Sequence, residues 1–166
     1  MILGMSLQTF TILHVIISLI AIAAGVVVLI GMLGSKRRAG WTALFLLMTI
    51  LTSVTGFMFP ISGFTPALGV GLISLLVLAI ALVAIYGKRL NGSWRWIYVA
   101  TALTALWFNV FVLIAQAFMK VPFLHPLAPN GNEPPFLIAQ SVTLAVFVVL
   151  GVIAVFRFRP GPAVSA

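Results

Sequence analysis

The sequence predicts an all-α fold: a polytopic bundle of five transmembrane helices, with the N-terminus outside and the C-terminus cytoplasmic. Three observations predict it. Five apolar runs divide the 166 residues, each close to or above the ~20 residues that a spanning helix requires. Only 6% of the residues are charged and 63% are hydrophobic. Soluble domains average about 25% charged residues, so a water-facing surface cannot be assembled from this supply. The basic residues also fall on alternate turns. Lys36, Arg37, Arg38, Lys88, Arg89, Arg95, Arg157 and Arg159 lie on one side, and Lys120 stands alone on the other. The positive-inside rule places the basic side in the cytoplasm.

The first span, 8–33, does not read as a signal peptide: no Lys or Arg precedes it, its apolar core is too long, and Lys36 to Arg38 follow it. His14, Ser18, Ala21 and Gly25 share one of its faces at spacings of four, three and four. The second span, 41–59, carries Thr49, Thr52, Ser53 and Gly56 down one side, where hydroxyls bond their own i−4 carbonyl or another helix. It stops at Pro60, and the turn PISGFTP is long enough only to reverse direction.

The third span is 67–87, with Ala67 and Gly71 a small pair one turn apart. The fourth, 96–119, is entered through Trp94, Trp96 and Tyr98, and places Asn109, Gln116 and Lys120 on one face. The fifth, 136–157, follows Glu133-Pro134-Pro135. Proline is tolerated in a first helical turn because the N–H it lacks has no partner there. The small-residue pairs Ala21/Gly25, Ala67/Gly71 and Ser141/Ala145 are expected to point into helix contacts. Residues 1–159 form one domain, and 160–166 a disordered tail.

Between the fourth and fifth spans lies the loop 120–135. It and its flanks hold His125, the only acidic residue Glu133, and five of the nine prolines: Pro122, Pro126, Pro129, Pro134 and Pro135. Its length, its prolines and the apolar Phe123, Leu124 and Leu127 predict a stiff cap lying on the bundle.

Composition excludes much chemistry. With one Glu and no Asp, paired-carboxylate catalysis and a membrane-spanning carboxylate relay are ruled out within one chain. No nucleophile-elbow or Gly-rich phosphate loop is present. Absence of Cys removes disulfides, thiol catalysis and thiolate metal sites. A formal charge of +8 raises nucleic acid as a partner, but short basic clusters between apolar runs are membrane anchors. No metal site is predicted, since His14 is too deep to meet His125 and Glu133.

The predicted topology gathers polar groups toward the outside. His14, Thr52, Ser53, Asn109, Gln116 and Gln140 are the candidate ligand-binding residues, expected to converge on the outer half of the bundle interior. Lys120, His125 and Glu133 belong to the loop above, with Lys120 and Glu133 placed to close its base as an ion pair. The energetic reason is that an unpaired amide or imidazole in hydrocarbon costs about 2–7 kcal/mol. Each residue also has a purely structural alternative. His14 can bond a hydroxyl on the second span, Gln116 and Gln140 can tie helices together, Glu133 can serve a helix N-terminus, and Lys120 can snorkel.

The stretches TSVTGFMFPISGFTPALG (52–69), WRWIYV (94–99), NVFVLIAQAFMKVP (109–122) and EPPFLIAQ (133–140) resemble a widespread group of small polytopic bacterial inner-membrane proteins. The resemblance covers most of the chain. It implies a bacterial inner membrane and carries over no catalytic residue. The function expected is a non-catalytic binding or accessory protein with an outward polar pocket for a lipophilic ligand or a partner helix. Expected partners are membrane lipid, quinone or another membrane protein. No resident cofactor is expected. The alternatives are a redox protein binding haem or quinone through His14, and a small oligomeric transporter.

Overall fold

A computed structural model describes residues 2–60, 63 and 65–160. The helices are α1 (Leu7–Leu33), α2 (Ala39–Phe57), α3 (Pro66–Leu82), α4 (Trp94–Lys120) and α5 (Pro134–Arg157). A π-helical turn, Val83–Gly87, prolongs α3, and a 3₁₀ turn, His125–Leu127, interrupts the loop after α4. All five helices, α3 with its π-turn, are long and apolar enough to cross a membrane. Among the described residues there is no strand beyond an isolated Ile2–Met5 bridge. Residues 161–166, which make up most of the expected disordered tail, lie outside the described residues, as do three residues of the turn after α2.

Local chemistry sets the helix starts. Ser6 Oγ accepts from Thr9 N and caps α1, and Thr65 does the same for Leu68 N ahead of Pro66. These bonds satisfy one of the amides that a helix start leaves without a partner. Helix α5 starts at Pro134, two residues before the expected 136, because both prolines fit its first turn.

Helix α4 touches each of the other four helices, whereas α5 packs on α4 and α1. The buried core draws on Ala24 to Met32 of α1, Phe45 and Leu46 of α2, Leu78 to Ile85, Tyr98 to Leu106 of α4, and Ala154 with Phe158. Every one of these lies toward the end of the bundle that carries Lys36–Arg38, Lys88, Arg89 and Arg157, called here the basic end. The opposite end, with the 120–133 loop, has a sparser core in which Phe10 stacks on Phe59 at 5.1 Å. At the basic end Arg95 Nη1 donates to Val155 O at 2.9 Å and Phe158 O at 2.6 Å. It thereby binds the start of α4 to the last carbonyls of α5.

The small-residue expectation holds for one pair of three. Ala21 and Gly25 are buried, and a methyl on Gly25 would lie 2.5 Å from Leu106 Cδ1 and 2.9 Å from Phe45 Cε2. Gly71 is half-buried, with room only for Phe57 against it, but Ala67 is exposed. Ser141 and Ala145 are both exposed. The contact face of α5 is instead the stripe Gln140, Phe147 and Ala154, seven residues apart. Gln140 and Ala154 are buried and Phe147 half-buried between them.

Candidate functional site

The polar residues are drawn together in pairs. His14 on α1 places Nδ1 2.7 Å from Thr55 Oγ1 on α2. The Thr55 hydroxyl is itself 2.7 Å from Leu51 O. One hydroxyl has one proton; with that proton on Leu51 O, the imidazole donates from Nδ1 and keeps Nε2 as its acceptor. Phe59 meets the ring edge-on at 5.3 Å, and Gly56 leaves it room: even a methyl there would be 3.8 Å from His14 Cε1. Thr52 bonds back to Met48 O at 2.9 Å, and Ser53 is buried in the contact face of α2.

Asn109, half-buried on α4, donates Nδ2 to Thr49 Oγ1 of α2 at 3.1 Å, and Thr49 is fully buried. Gln140 on α5 donates Nε2 to Phe111 O of α4 at 3.0 Å. Gln116 is exposed on the outer surface of α4. The expected convergence of six residues on one cavity is therefore corrected. Three separate inter-helix ties (α1 to α2, α2 to α4, α5 to α4) use His14, Asn109 and Gln140, and Gln116 takes no part. His14, Asn109 and Gln140 each find a partner on an adjacent helix, whereas Thr52 bonds back to its own. The pairing of Asn109 with Thr49 yields a quantitative expectation. Asn109→Leu and Thr49→Val should each destabilise the protein, and the double variant should recover about 1 kcal/mol of coupling. A double-mutant cycle by thermal melting in detergent measures it, and strictly additive losses would contradict the bond.

The loop is also built differently from expectation. Glu133 Oε1 accepts from Asn130 N at 3.0 Å and Asn130 Nδ2 at 2.8 Å, and Oε2 accepts from Asn132 N at 3.1 Å. Its carboxylate thus closes a local turn around Gly131, whose φ of +72° suits glycine, instead of pairing with Lys120. Backbone donors one and three residues away cost far less ordering than an extended lysine. Leu124 is half-buried and Ala128 buried, but Phe123 and Leu127 are exposed, so the loop covers the bundle with its backbone and Ala128 more than with its large side chains. His125 places Nδ1 3.3 Å from Phe118 O. Among the described residues no three His or acidic side chains come together.

Desolvation pulls the Glu133 carboxyl upward, but the bonds from Asn130 and Asn132 outweigh it and hold it below its ordinary value of 4.5. A carboxyl depressed by folding stabilises its turn fully above that ordinary value, and the contribution is lost as pH falls through the lower folded value. The Asn130 and Asn132 amide resonances should move together only as pH falls below that ordinary value. Glu133→Gln should remove that titration. An unchanged titration in the variant would assign it to another group.

One feature had no polar signal in the sequence. A groove of about 350 Å³ runs between α4 and α5, lined by Ala100, Leu103, Thr104, Trp107, Phe147 and Gly151 among others. It reaches from the basic end at Ala100 and Phe156 to mid-bundle at Trp107 and Leu144. The Trp107 indole N–H is buried without a partner, and so is Gln140 Oε1, one turn beyond Leu144. A tryptophan in mid-span, away from the belt at the helix ends, is the one clue the sequence offered. Comparison of the chain with protein-family models, curated proteins and solved structures finds no match.

Proposed function

We propose that this chain is a multi-pass bacterial inner-membrane protein that acts as a non-catalytic binding or accessory component and holds a lipophilic molecule in the α4–α5 groove. The observation that carries this reading is the groove itself, apolar along its length and flanked at its inner limit by one unpaired donor and one unpaired acceptor. From Leu144 to Phe156 it follows about 18 Å of helix, comparable to half of a ~30 Å hydrocarbon core. An acyl or isoprenoid chain of one leaflet matches that length, and a hydroxyl or carbonyl on it matches the Trp107 and Gln140 groups. The candidate reactive groups speak for binding over chemistry: His14 is tied to Thr55, and the only acidic side chain is engaged in a turn.

The reading places the basic end in the cytoplasm and the 120–133 loop outside. Cysteines introduced at Ser35 or Asn91 should then resist an impermeant thiol reagent in intact cells, and one at Asn130 should react. The groove is tested by native mass spectrometry of protein purified in a maltoside detergent. Ala100→Phe fills its mouth from an exposed position, and Gly151→Ala adds a methyl at an ordinary 3.6 Å from Leu103 Cδ1. A lipophilic species retained by the wild type and Gly151→Ala and lost from Ala100→Phe supports the proposal. Equal retention by all three overturns it.

A further inference from the structure

A second site is built from other residues, at the basic end where α1 turns into α2. The side chains of Lys36, Arg37, Arg38, Thr42, Tyr98 and Phe158 surround a narrow cleft there. Its floor is Tyr98, 1% exposed, whose hydroxyl has no hydrogen-bond partner. Its wall is the turn Lys36–Arg38 that leads into α2, with Thr42 of that helix. Arg38 is the N-cap of that helix and makes no side-chain cap bond, so the first amides lack the side-chain acceptor found on α1 and α3.

The cleft is held in shape. Lys36 N donates to Gly31 O at 2.8 Å, Arg159 N donates to Ser35 Oγ at 2.9 Å, and Phe158 packs 6.1 Å from the Tyr98 ring. The only acidic side chain of the protein, Glu133, lies at the opposite end of the bundle. The Tyr98 hydroxyl, the α2 amides and the three cations therefore present donors with no carboxylate side chain among them.

We propose that this cleft binds a phosphate group. The interior space, about 10 Å³, takes one oxygen-sized atom and no more. A tetrahedral anion fits by sending one oxygen inward to Tyr98 while the others stay at the rim with the α2 amides and the cations. A carboxylate that sends one oxygen to the floor keeps a single oxygen for the rim, whereas a phosphate keeps several for the cations there. At a membrane surface the phosphate comes from an anionic lipid headgroup or from solution, and both sources offer the same oxygens.

The test uses full-length protein in maltoside micelles, which carry no phosphate of their own. Inorganic phosphate and short-chain phosphatidic acid are titrated separately by calorimetry, with diacylglycerol as the phosphate-free control. Tyr98→Phe deletes only the buried hydroxyl and should weaken binding roughly tenfold. Ala39→Pro deletes one first-turn amide at a position that accepts proline, and should weaken it several-fold. Melting temperatures without phosphate verify that both variants fold; if one fails to fold, the other carries the test. Weakening for both ligands identifies the phosphate group as the recognised element, and binding confined to phosphatidic acid identifies the headgroup as the source. Absence of binding, or binding that the folded variants leave unchanged, overturns the site and leaves the groove proposal intact.

Discussion

Replacing Arg95 with Met should cost about 2–3 kcal/mol of stability, because one guanidinium nitrogen serves two carbonyls at the end of α5. Those carbonyls lie at the negative end of the helix dipole, where a cation is favoured, and the side chain is half-buried, so solvent replaces the bonds poorly. Methionine retains the apolar stem and isolates the loss of the charged head. Arg95→Lys should recover only part of the loss, because an ammonium on a flexible stem does not reproduce the rigid fork of the guanidinium. The expected readout is a lower melting temperature, with faster hydrogen exchange concentrated in residues 150–158. A variant that melts with the wild type would show that α5 is held without the Arg95 bonds.

Gly25→Leu should be comparably damaging for the opposite reason. A single methyl at this position already meets Leu106 Cδ1 at 2.5 Å and Phe45 Cε2 at 2.9 Å, and a full leucine must push α1 away from α2 and α4. Overpacking of this kind costs typically about 1–3 kcal/mol. Gly25→Ala should cost less, since both opposing atoms are the ends of side chains able to give way. Leu106→Ala in the Gly25→Leu background should restore part of the loss by vacating the space, giving a favourable coupling energy. A purely additive double variant would place the clash elsewhere.

The five spans were legible because hydrocarbon leaves a chain few choices. Long apolar runs, Pro60 and the basic turns mark their limits within two residues or so. Which side chains meet was much less legible. His14 and the threonines of α2 were read as polar, but the choice of Thr55 over Thr52 depends on how α1 and α2 are rotated about their axes. Gln116 and Gln140 have the same chemistry and similar depth, yet one is exposed and the other buried, because the α4 face bearing Gln116 has no helix against it. Ser141 and Ala145 misled for a related reason: small residues permit close approach without requiring it, and α5 makes its contact through Phe147. Arg95 was indistinguishable from an anchor, since its role depends on the distant carbonyls of Val155 and Phe158. The α4–α5 groove is a shape, and shape in an apolar interface leaves no polarity pattern to read.

The concentration of close packing at the basic end has a mechanical consequence. With Leu29, Phe45, Leu78, Tyr98 and Leu106 interlocked there, the helices behave as rods clamped at one end, and thermal motion must grow along them toward the 120–133 loop. The bonds from His14 to Thr55 and from Gln140 to Phe111 sit along the free lengths, where they act as rivets limiting how far the tips splay. Cutting one should widen the amplitude of its own pair of helices while leaving the clamp rigid.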